Sequence, residues 1–131
     1  MTTYREVPGA KVAVLAIGAP AYLAGAASDA LRAKGTAADV YVVNGFPIDE
    51  KFIAGLAGRY KKIVTIEDGL IGTPESGLRG LAGFAVSTLA GTGVTFDHFG
   101  IEDPKVAPSD HFVQVWEHFG ITQARLEQSL I

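Results

Sequence analysis

The chain has 131 residues, 48% hydrophobic and 19% charged, with a net charge of −3 at neutral pH and no cysteine. That length fits one domain, spanning 1–131, able to bury roughly two-thirds of the surface its unfolded form exposes. The composition excludes disulfides and thiolate chemistry, and an acidic balance with no basic cluster beyond Arg59, Lys61 and Lys62 excludes a phosphate-neutralising surface, so no nucleic-acid partner is expected.

Thr3 to Val7 alternates polar and apolar and stops at Pro8-Gly9, which predicts a short edge strand. Lys11 to Ile17 (KVAVLAI) reads as a continuous buried strand. Gly18-Ala19-Pro20 then turns the chain into a helix from about Ala21 to Lys34, with Leu23, Ala27, Ala30 and Leu31 inward and Gly35 as its stop. Asp39 to Val43 (DVYVV) is the next strand, broken by Asn44-Gly45. Pro47-Ile48-Asp49 starts a second helix: Asp49 is a good N-cap, and Phe52, Ile53, Leu56, Ala57 and Tyr60 recur at helical spacing.

The organising stretch is Lys62 to Leu78, KIVTIEDGLIGTPESGL. Ile63, Val64 and Ile66 suit a strand covered on both faces, predicted over 62–67, and the acids Glu67 and Asp68 arrive where that strand should reach the surface. A loop carrying Gly72 follows, then a helix capped by Ser76 from Gly77 to about Ala90, with Leu78, Leu81, Ala82, Ala85 and Leu89 as its core stripe and Gly91 as its end. Gly77, Gly80 and Gly83 recur every three residues, each costing up to ~1 kcal/mol of helix propensity. A flat surface is expected there, packed on the sheet or on another subunit. Val94 to Phe96 is a last short strand. An irregular acidic segment, Asp97 to Pro108, leads to a helix capped by Ser109 with Phe112, Val115, Trp116 and Phe119 inward, and Thr122 caps a final helix reaching Ile131. Strands alternating with helices predict a three-layer α/β sandwich.

Mean hydropathy is +0.26, apolar for a small protein that stands alone and ordinary for one that buries a face against a partner. MTTYREVPG has no apolar signal core, and no apolar run approaches the ~20 residues of a membrane helix. A cytoplasmic protein that associates, with no membrane partner, is expected.

Chemistry in an open α/β sheet collects at the carboxyl ends of the strands. Glu67 and Asp68 could serve as an acid and base pair or as a cation site, yet adjacent residues on an extended backbone point opposite ways, so one of them faces away from any shared ligand. A capping or inter-subunit hydrogen-bonding role for Glu67 is preferred to catalysis. The Gly18 turn lacks G-x-G-x-x-G spacing, and Pro20 removes a donor that a phosphate would use. Asp97, His98, Glu102 and Asp103 are metal-ligand types in an irregular chain with one imidazole, which favours a solvated loop. His111 and His118 lie seven apart and read as surface or interface residues.

KIVTIEDGLIGTPESGLRGLAGF, taken together with NGFPIDEKFI at 44–53 and KVAVLAIGAPAYLAGAASDALRAKG at 11–35, resembles the C-terminal domain of the transketolase family, the thiamine diphosphate enzymes that include transketolase, deoxyxylulose phosphate synthase and 2-oxoacid dehydrogenase β subunits. Pro47, Ile48 and Asp49 match the family's Pro-hydrophobic-Asp turn. Glu67 and Asp68 match its strand ending in Glu with a second acid. The loop departs from the pattern: Gly72 keeps one glycine, Thr73-Pro74-Glu75 stands where further glycine is usual, and Ser76-Gly77 inverts the usual order. Phe99 to Asp103 and Phe119 to Thr122 resemble segments near the family's terminus.

The resemblance implies a mixed five-stranded sheet with an antiparallel first strand. It also implies a module that packs on catalytic domains and contributes to a dimer interface. In the family, the diphosphate is held through a metal by Gly-Asp-Gly and a downstream Asn on other domains. Here Asp68-Gly69 lacks the preceding glycine and Asn44, the single asparagine, lies upstream. No cofactor is therefore expected on this chain alone, with thiamine diphosphate and a divalent metal belonging to the complete enzyme. The leading expectation is a non-catalytic module serving assembly and the active-site entrance in ketol transfer, in a homodimer or hetero-oligomer. Its rivals are a stand-alone binder of small anions or phosphosugars near Gly18, Gly45 and Gly69, and an autonomous hydrolase or isomerase using Glu67 with His98.

Overall fold

A computed structural model describes residues 1–45, 47–73, 77–102 and 116–131, with the backbone alone at Leu70. Five strands, β1 (Thr2–Arg5), β2 (Val12–Ile17), β3 (Ala38–Val42), β4 (Lys62–Leu70) and β5 (Thr95–Ile101), form one sheet in the order β1-β3-β2-β4-β5. β1 runs antiparallel to β3, and the other pairings are parallel. Helices α1 (Ala21–Ala33) and α4 (Gln123–Ser129) cover one face, and α2 (Glu50–Gly55) and α3 (Gly80–Thr88) cover the other. This is the three-layer mixed sheet with an antiparallel first strand.

Each layer has its own core because side chains alternate across a strand. Val14, Ala16, Val40, Val64 and Ile66 meet Ala27 and Leu31 of α1 and Leu126 of α4, with Trp116 and Ile121 closing the same cluster. Ala13, Leu15, Tyr41 and Ile63 meet Ile53 of α2 and Leu81 and Ala85 of α3. The face that α1 buries differs from the expected one: Ala24, Gly25, Ala27, Ser28 and Leu31 are buried, while Leu23 and Ala30 are only partly so. Small residues let the helix approach closely. Ser28 Oγ donates to Ala38 O at 2.7 Å, and the Tyr4 ring of β1 lies against Gly25, where a β-carbon would collide with it.

Three boundaries also differ. β4 does not stop at the acids but runs on to Leu70, through a register shift between Ile66 and Leu70 against β5. The helix after it begins at Gly80 and ends at Thr88, so Gly77 and Leu78 precede it and Ala90 follows it. β5 is longer than Val94 to Phe96: Asp97 and His98 lie inside it, paired in register with Val64 and Thr65, and not in an irregular loop. Local sequence gave no sign of this, because an edge strand can carry polar side chains where a loop would. Ser76, Asp103, Ser109, His111, Phe112 and Val115 lie outside the described residues. Trp116 is buried and Phe119 partly buried, packed against the α1 and α4 layer.

Candidate functional site at the carboxyl ends of the strands

The chain moves from β2 outward to β3, then crosses back to β4 on the other side of β2, so the order reverses between β2 and β4. At such a switch point the loops leaving two neighbouring strands diverge and open a crevice. Gly18 ends β2 there with φ +77°, a conformation that favours glycine, and a β-carbon on it would sit 3.3 Å from Asp68 Oδ1 of β4. Any side chain at position 18 would therefore crowd Asp68. Ala21 N–H donates back to Gly18 O at 3.2 Å, closing the turn into α1.

Glu67 and Asp68 diverge as neighbours on a strand do. Asp68 is exposed and makes no hydrogen bond or ion pair with the described residues. Glu67 is 5% exposed and turns under α3, where Oε1 accepts from Leu81 N–H at 3.1 Å and Oε2 from Ala82 N–H at 3.0 Å. The N-cap position of α3 is Arg79, whose side chain offers no acceptor to the helix. A carboxylate from the neighbouring strand supplies both acceptors and places negative charge at the positive end of the helix dipole. Burial pushes the Glu67 carboxyl above its ordinary value, the two N–H donors pull it back, and the Asp68 charge adds to the upward shift.

The glycines divide by what they touch. Gly80, with φ +60°, lies against Glu67, and a β-carbon there would collide with Oε1. Gly83 lies on the backbone carbonyl of Leu78, where a β-carbon would come within 2.6 Å. Gly77 (φ +98°) has open space around it, and Gly72 (φ +72°) is buried at the start of the loop. The loop ends are tied: Arg79 N–H donates to Ile71 O at 2.8 Å, and Ile71 N–H to Ile101 O at 2.8 Å. Asp49 caps α2, accepting from Phe52 N–H at 3.1 Å, beside the exposed Pro47. Glu67 and His98 are not hydrogen-bonded to each other, and His118 is exposed with its ring edge-on to Phe119.

Two polar groupings were not anticipated. At the opposite end of the sheet Asp39 is fully buried: Oδ1 accepts from Val7 N–H at 2.6 Å, while Oδ2 accepts from Tyr60 Oη–H and from Arg59 Nη2 at 3.1 Å. Tyr41 Oη is 2.6 Å from Tyr60 Oη and accepts from Arg59 Nη1 at 3.1 Å. Burial first, then hydrogen bonds to Asp39 and Tyr41, push the Tyr60 phenol up, so it stays a protonated donor. The available signal was the i, i+2 spacing of Asp39 and Tyr41, which puts both on the α2 face of one strand. The second grouping lines a cavity of about 470 Å³ beside β5 and α4, where Lys62 Nζ donates to Ser129 O at 2.5 Å and Ser129 Oγ to Asp97 Oδ2 at 2.5 Å.

The donors at the carboxyl ends do not fit a metal-bridged diphosphate. Among the described residues no three His, Asp, Glu or Cys side chains gather, and Glu67 is already committed to α3. Among the same residues no helix is long and apolar enough to cross a membrane.

Comparison with known proteins agrees with this architecture. The family model described as "Transketolase, C-terminal domain" matches residues 2–125. A 1-deoxy-D-xylulose-5-phosphate synthase of Anaeromyxobacter dehalogenans is 44% identical over 69 residues, covering 51% of this chain and 11% of the synthase. Among solved structures, "Split gene transketolase, inactive beta4 tetramer" superposes with a TM-score of 0.78 at 22% identity, over 93% of this chain and 38% of that one. A transketolase from Campylobacter jejuni gives a TM-score of 0.65 at 21% identity, over 97% of this chain and 17% of that one. At such identities the structures speak for the fold alone. The chain spans about a tenth of the synthase and under two-fifths of these structural neighbours. With the family model covering residues 2–125, the chain belongs to the transketolase C-terminal domain family.

Proposed function

We propose that this chain is the C-terminal, non-cofactor-binding module of a transketolase-like thiamine diphosphate enzyme, serving subunit assembly and the shape of the active-site entrance in ketol transfer. One observation carries the reading: the family match fills residues 2–125, yet the chain corresponds to only 11% of the synthase and 17% of the Campylobacter transketolase. The catalytic parts of such an enzyme lie outside this sequence. The neighbour named as a split gene transketolase, inactive as a β4 tetramer, supplies a precedent for a transketolase encoded in pieces.

The carboxyl-end rim is the face we assign to docking. It combines the Gly18 turn, the exposed Asp68, the Pro47 to Asp49 turn and the loop through Gly72 and Gly77. Glu67 under α3 fixes where that loop ends. Homodimer and hetero-oligomer are both compatible with this placement, and the enzyme would work in the cytoplasm. The reading of a stand-alone anion or phosphosugar binder is disfavoured by Asp68, which sets an exposed acidic side chain at the crevice where the anion would sit.

The test is reconstitution. The chain is mixed with a polypeptide carrying the two thiamine-binding domains of a transketolase-like enzyme, and ketol transfer and complex mass are measured. A complex with raised activity is expected; no complex and no gain in activity would remove the assembly role.

A further inference from the structure

Thr65 and His98 are direct register partners on the adjacent parallel strands β4 and β5. Both belong to the face covered by α3: Thr65 alternates with Ile63 and Glu67, and His98 with Phe96, while Val64 and Phe99 serve the opposite core. Thr65 is 1% exposed, and its Oγ1 and the Nδ1 of His98 are buried atoms that no protein group hydrogen-bonds. Two orphaned polar atoms side by side are unusual, since the large majority of buried polar side-chain atoms find a protein or solvent partner. Leaving each unmet costs about as much as a lost hydrogen bond.

We infer that one internal water molecule bridges Thr65 Oγ1 and His98 Nδ1 beneath α3. Neighbouring strands lie about 4.8 Å apart, so register partners on one face bring their polar tips to a separation that one water can span. Buried waters typically take 2–4 hydrogen bonds from groups left unsatisfied by the fold, and this pair of register partners supplies two. The hydroxyl donates to the water and the water donates to Nδ1, and a ring that accepts at Nδ1 carries its proton on Nε2. The water thus fixes the tautomer of His98 and links the edge strand β5 to its neighbour β4 through side chains, two residues before Glu67. This assignment is independent of the proposed docking role.

A crystal structure of the protein at a resolution that defines ordered solvent, paired with nitrogen-15 NMR of the histidine ring, tests it. The expected result is one solvent peak within hydrogen-bond distance of both atoms, an acceptor-type Nδ1 signal, and magnetisation transfer from water to the His98 ring. Thr65→Ser should keep all three, and Thr65→Val should lose the solvent peak and move the Nδ1 signal. A direct Thr65 to His98 hydrogen bond, or no solvent peak between them in the native protein, would overturn the inference.

Discussion

Glu67 and Gly80 fit each other: the carboxylate of β4 occupies the space that a β-carbon at the first residue of α3 would take, and from there reaches the N–H groups of Leu81 and Ala82. Strand and helix are joined by a cap supplied from 14 and 15 residues away in sequence. That contact sets the start of α3 at Gly80.

Removing the cap should therefore loosen the helix. Glu67→Ala leaves two buried N–H groups without acceptors, at about 1–3 kcal/mol. Urea denaturation should show a lower midpoint, and hydrogen exchange should show faster exchange at Leu81 and Ala82.

Glu67→Gln isolates the titration of the cap, through its pH dependence. In the folded chain the carboxyl titrates above its ordinary value, chiefly because burial penalises the ionised form. The folded state then holds more protons than the unfolded state between the ordinary and raised values, so the contribution of Glu67 to stability falls as pH rises through that window. Gln keeps one of the two acceptors, turns its NH2 toward the other N–H at a cost that does not vary with pH, and removes the titration. The melting temperature of Glu67→Gln relative to native protein should rise from acidic to neutral pH, and a flat difference across thermal melts would contradict the assignment.

Gly80→Ala meets both the carboxylate and a φ of +60°. A loss of about 1–3 kcal/mol is expected from the strained backbone together with the displaced Glu67. Part of that loss should vanish when Glu67→Ala is already present, and a double-mutant cycle of denaturation free energies measures that part.

At the other end of the sheet Asp39→Ala removes the acceptor of Val7 N–H, Tyr60 Oη–H and Arg59 together. The expected cost is about 3 kcal/mol, since buried donors and a charged partner lose their match at once. Tyr60→Phe should cost less, about 1 kcal/mol, because Arg59 and Val7 keep their bonds to Asp39. Calorimetric melting of the two variants gives the order.

Asp68→Ala tests docking apart from folding. An exposed side chain with no hydrogen bond to the described residues should change stability by no more than about 0.5 kcal/mol. Weakened assembly with the thiamine-binding polypeptide, measured by titration calorimetry, is expected alongside an unchanged melt.

The sequence by itself determined the class. Runs such as Lys11 to Ile17 and Asp39 to Val43, set between helical stripes, specify strands and crossovers because apolar periodicity is local information. Asp49 at the start of α2 and Thr122 at the start of α4 were legible for the same reason, each bonding a backbone N–H three residues on. Tertiary structure alone decided the rest. α3 starts at Gly80 because its cap comes from β4, β5 includes Asp97 and His98 because they pair with Val64 and Thr65, and Asp39 is buried because Tyr60 and Arg59 return to it from the end of the second helical segment. Contacts between residues distant in sequence leave no periodicity in either segment, so the fold had to form before Glu67, Asp39 and His98 acquired their surroundings.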